Sequence, residues 1–70
     1  MNIPELRAAV ARKNLTNREL ARQMGISENA LYQKINGIRE FKNSEIKYLA
    51  GTLSLSMAEV NTIFFDDNVN

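Results

Sequence analysis

The stretch 16–37, TNRELARQMGISENALYQKING, constrains this chain more than any other. It holds two short helical patterns that meet at a corner. Thr16 and Glu19 make a T-x-x-E capping box, in which side chains and backbone N–H groups satisfy one another at a helix start. The apolar side of that helix is Leu20, Ala21 and Met24. Gly25 follows at once, where a left-handed residue stops a helix. Ser27 caps the next segment, whose Leu31 and Ile35 lie four apart and face inward. Asn36-Gly37 closes it. Asn-Gly also serves hairpins, but no alternating strand pattern flanks it. Ala21 is small enough to sit where the two helices meet, Gly25 turns the corner without a Cβ clash, and Ile26 plugs the junction.

The spacing Ala21–Gly25–Leu31 is the skeleton of a helix-turn-helix. Three more helices are expected around it. Asn2 and Pro4 open the first, with Leu6 and Val10 on one side and Asn14 at its end. After a short loop, 38–42, anchored by Phe41, a fourth carries the stripe Ile46, Leu49, Ala50 and Leu53. Ser56 and Glu59 cap a fifth, with Met57, Val60, Ile63 and Phe64. The polar tail 66–70 is expected to fray. The expected fold is therefore all-α, a compact five-helix arrangement forming one domain over 1–70.

Seventy residues bury a smaller share of their surface than a longer chain does, so such a chain needs well-capped helices, a partner, or both. The absence of Cys and His removes disulfides, common zinc sites and the usual nucleophile–base pairs. No catalytic role, cofactor, metal or small-molecule ligand is expected. Adjacent Asp66 and Asp67 are the nearest approach to a carboxylate cluster, and they lie in the tail. No apolar run reaches membrane-spanning length and no signal-peptide pattern opens the chain, so the expected compartment is the cytoplasm, with no membrane partner. The net charge is only +1, but residues 1–42 carry eight basic against four acidic side chains and residues 43–70 one against four. A basic front and an acidic back suit a polar surface facing DNA, although a solvated mixed surface would look the same.

With these residues in view, the chain resembles the Cro/C1-type repressors of temperate phages and bacteria, from Leu6 through LYQKINGIREF to the last helix. The resemblance implies a repressor-like DNA-binding domain whose recognition helix, roughly 28–36, enters the major groove. It implies Glu28, Asn29, Tyr32 and Gln33 as base readers, a set that points away from Leu31 and Ile35. Asn29 and Gln33 have the right chemistry, since a carboxamide both donates to and accepts from adenine. Glu28 could accept from a cytosine amino group but is repelled by phosphates; its structural alternative is a first-turn acid stabilising the helix dipole by about 0.3–1 kcal/mol. Asn29 has the alternative of a solvated residue, and Tyr32 that of packing over the motif. The implied phosphate contacts are Thr16 and Asn17 at a helix start, Asn36, Gly37, Arg39 and Lys42 after the recognition helix, and more weakly Arg18 and Lys34. Thr16 is at the same time a cap, and Asn36 a helix C-terminal residue.

The resemblance further implies double-stranded operator DNA as partner, with a homodimer placing two recognition helices about 34 Å apart. Phe64, Phe65 and Val69 are the candidate dimer contact; neighbours on a helix lie about 100° apart, so Phe64 and Phe65 cannot both face inward on one helix, and the alternative for Phe65 is to fold back on its own core. A second function of another class is a phage antirepressor. There Glu28, Asn29, Tyr32 and Gln33 would meet the basic N-terminal domain of a phage repressor protein, and Glu28 and Glu40 would be assets.

Overall fold

The computed structural model describes residues 1–65. Among them five α-helices follow one another: α1 Ile3–Arg12, α2 Asn17–Met24, α3 Glu28–Ile35, α4 Asn43–Thr52 and α5 Met57–Val60, the last running into a π-helical turn at Asn61–Phe65. The described residues contain no strand.

Local chemistry sets nearly every boundary. Asn2 Oδ1 accepts from the Glu5 N–H at 3.2 Å, and Pro4 takes a first-turn position where its missing N–H is harmless. Thr16 and Glu19 cap α2 reciprocally: the Glu19 N–H donates to Thr16 Oγ1 at 3.1 Å and the Thr16 N–H to Glu19 Oε1 at 3.2 Å. Gly25 closes α2 at φ +72, with its own N–H on the Arg22 carbonyl and the Ile26 N–H on the Ala21 carbonyl, a Schellman closure. A Cβ at Gly25 would meet nothing within 4 Å, so the left-handed backbone, rather than crowding, is what asks for glycine. Gly37 at φ +76 ends α3 in the same way, with the Ile38 N–H on the Gln33 carbonyl at 2.8 Å. Ser54 takes that role after α4 at φ 54, a conformation an L-residue adopts at some cost.

The core is one cluster: Leu6, Ala9 and Val10 from α1, Leu20 and Ala21 from α2, Leu31 and Ile35 from α3, Leu49 and Leu53 at α4, and Ile63. Ala21 is fully enclosed, which lets α2 and α3 approach closely at the corner. Met24 and Ile26 pack against the cluster from its edge. Phe41 anchors the 38–42 loop, its ring edge-on to Phe64 with centroids 5.6 Å apart.

The end of the chain departs from the expected fifth helix. Only one α-turn forms after the Ser56–Glu59 cap, and Met57 is 78% exposed. The wider π turn then holds Ile63 in the core and Phe64 against Phe41, leaving Phe65 outside. The Asn2 N–H donates to the Ile63 carbonyl at 2.7 Å, so the front of α1 is fastened to this turn. Of the expected dimer contact, Phe65 is exposed and Phe64 half-buried, while Val69 lies outside the described residues, as does the tail expected to fray.

Candidate nucleic-acid interface

Helix α3 carries the candidate recognition surface. Ser27 Oγ accepts from the Ala30 N–H at 3.0 Å and fixes its start. Its inner face is Leu31, Lys34 and Ile35. The opposite face presents Glu28, Asn29 and Tyr32, all exposed, with Gln33 half-buried at its shoulder. Tyr32 is 55% exposed. Glu28 is not a bare negative charge: its carboxylate lies 3.7 Å from Arg18 Nε on α2. An exposed pair like this contributes little stability, but it lowers the repulsion Glu28 would exert on a nearby phosphate.

Five of the eight residues expected at phosphates fall into three groups. Thr16 is spent as a cap, because its hydroxyl also donates to Glu19 at 2.9 Å. That hydrogen bond and the one from the Thr16 backbone hold the Glu19 carboxyl below its ordinary pKa, as the Ser56 bonds do for Glu59. Asn17, Arg39 and Lys42 stand exposed, and Asn17 is the first residue of α2. Asn36 fastens the end of α3: its Nδ2 donates to the Tyr32 carbonyl at 2.8 Å, and its Oδ1 accepts from the Arg7 guanidinium.

Lys34 must be corrected. It was expected as a weak phosphate contact, yet it is 4% exposed, the one buried charged residue among those described. Its ammonium donates to both carboxylate oxygens of Glu45 at 2.6 Å. Glu45 in turn accepts the Lys42 N–H at 2.8 Å, capping α4. One carboxylate thus ties α3 to the start of α4 and closes the loop 38–42 between them. The signal was present in the sequence: Leu31, Lys34 and Ile35 stand at i, i+3 and i+4, so the helical period turns Lys34 inward. Arg7 was missed altogether, because nothing in α1 marks it for the end of α3, 29 residues away.

Among the described residues no group of three potential ligands could hold a metal ion, and no helix is long and apolar enough to cross a membrane. A glycine-cornered helix pair, with a polar recognition face beside the exposed start of the preceding helix, defines a helix-turn-helix DNA-binding module. The family model of the Cro/C1-type HTH DNA-binding domain matches residues 5–66, and the chain belongs to that family. Neither the curated proteins nor the solved structures give a significant match to it.

Proposed function

We propose that this chain is a sequence-specific transcriptional regulator of a temperate phage, acting on operator DNA in the cytoplasm of a bacterial host. Helix α3 lies in the major groove, Asn29 and Gln33 read base edges, and Asn17, Arg39 and Lys42 hold the backbone. The observation that supports this most is the exposed carboxamide of Asn29 on the first turn of α3, opposite a buried apolar face and beside the start of α2. The chain's membership of a DNA-binding family supports it independently.

A second reading keeps the same face but changes its partner. An outward tyrosine flanked by Glu28, with Glu40 also exposed, suits docking on the basic DNA-binding domain of a phage repressor protein as well. On that reading the chain frees the operator instead of occupying it.

Selecting duplexes from a random pool on the immobilised protein, followed by gel shifts at stated salt, tests the first reading. Asn29→Ala and Gln33→Ala are each expected to cost about 1–3 kcal/mol on the selected site and far less on a scrambled one. Equal losses on both duplexes would remove the base-reading role. Failure to enrich any sequence, combined with release of a phage repressor from its operator, would select the second reading.

A further inference from the structure

Three of the chain's cations are already matched with carboxylates: Arg12 with Glu59, Arg18 with Glu28, and Lys34 with Glu45. Arg7, like Lys13, Arg22, Arg39, Lys42 and Lys47, pairs with no carboxylate among the described residues. What sets it apart is the hydrogen bond from its guanidinium to a neutral oxygen, Asn36 Oδ1. That oxygen is aimed. Asn36 Nδ2 is held by the Tyr32 carbonyl at 2.8 Å, so the carboxamide has one orientation, with its acceptor toward α1. The arrangement fixes one N–H of the guanidinium and leaves four donors and the whole charge available. Arg7, Asn17, Tyr32 and Asn36 line one groove of about 240 Å³, floored by Val10 and Ile35, and no acidic side chain lines it.

An aimed, uncompensated guanidinium and a carboxamide at the start of α2, on a wall free of negative charge, match an oxyanion with several acceptor oxygens. We infer that Arg7, oriented by Asn36, clamps a single backbone phosphate of duplex DNA in this groove together with Asn17. The inference rests on the DNA-binding reading above and deepens it. Arg7 replaces Lys34 in the set of backbone contacts. The clamp anchors the C-terminal end of α3 to the strand, while the exposed first turn of that helix meets the bases.

The test is a fluorescence titration of the full chain with the selected duplex and with a scrambled duplex, each over a series of salt concentrations. Arg7→Ala is expected to weaken both duplexes by the same factor, about ten-fold. It should also flatten the dependence of log K on log salt by about 0.9, the share of one phosphate. Arg7→Lys keeps the charge but not the fork, so it should retain the wild-type slope and recover part of the affinity. Arg7 is exposed, so urea unfolding of both variants should match the wild type and exclude a folding defect. An unchanged slope for Arg7→Ala overturns the clamp. So does a loss confined to the selected duplex, which would make Arg7 a base reader. If Arg7→Ala behaves as wild type while Asn29→Ala and Gln33→Ala lose discrimination, the clamp alone falls. If the wild type binds no duplex but Arg7→Ala loses binding to an acidic protein surface, the clamp and the DNA-binding reading fall together.

Discussion

Lys34→Ala is expected to cost about 3–5 kcal/mol, because it strands the Glu45 carboxylate, whose side chain is only 12% exposed, without its cation. A chain of this size has roughly 4–10 kcal/mol in total, so the variant should be largely unfolded or close to it at 25 °C. Urea unfolding followed by circular dichroism would measure this. Removing both partners has a different consequence. Lys34→Met with Glu45→Leu leaves no buried charge, and most of the loss should return, since apolar residues of similar volume replace a buried pair at little cost. The residual deficit is the lost cap on the Lys42 N–H.

The same pair sets a pH dependence. Burial alone would raise the Glu45 carboxyl, but hydrogen bonds from the Lys34 ammonium and the Lys42 N–H outweigh it and bring the pKa below the ordinary 4.5. A carboxyl whose pKa falls on folding stabilises the folded state above its unfolded value, and that contribution is lost as pH falls through the folded value. Wild-type stability should therefore hold above about pH 4.5 and decline below it, with Glu19 and Glu59 acting in the same direction. In Lys34→Ala the Glu45 contribution reverses: burial without the ammonium favours the protonated acid, so acidification should narrow the gap between variant and wild type. A gap that stays constant from pH 7 to pH 4 would contradict the role given to the pair.

Leu31→Ala is the second large effect. Leu31 is 0% exposed and carries the inner face of the recognition helix against the core. Truncating it removes buried methyl groups and leaves a cavity, at about 2–5 kcal/mol. Thermal unfolding should show Tm lowered by at least roughly 10 °C. Asn29→Ala, on the opposite face of the same helix, should stay within about 0.5 kcal/mol of wild type. This contrast separates the two faces of α3: one holds the helix in place and the other presents it. A loss under 1 kcal/mol for Leu31→Ala would mean that α3 is held by something other than its apolar face.

What could be read from the sequence was whatever is decided within three or four residues. The caps at Asn2, Thr16 and Ser27, the box at Ser56–Glu59 and the stops at Gly25 and Gly37 depend on one side chain and the nearest backbone groups, and each stands where expected. The inward stripe of Leu49 and Leu53 follows from helical period in the same way. What escaped depends on packing between distant segments. Helical period turns Lys34 inward, but its partner Glu45 lies across a loop, and Arg7 reaches Asn36 from another helix; neither partner leaves a mark on local spacing. The π turn sets Ile63 in the core and Phe64 against it, which the cap at Ser56 cannot announce. Ser54 closes α4 in a left-handed conformation with no glycine to advertise it. At the recognition face, period placed Asn29 and Tyr32 outward and Leu31 and Ile35 inward, while the partners of Glu28, Arg18 and Asn36 emerged only in three dimensions.

Amide chemical-shift mapping of the labelled chain during titration with the selected duplex addresses the recognition face most directly. The expected result is that perturbations concentrate at Asn17, at Glu28, Asn29, Tyr32 and Gln33, and at Asn36, Gly37 and Arg39, with residues 57–65 unmoved. Perturbations centred on residues 57–65, with the outward side of α3 silent, would show that this helix does not carry the contact with DNA.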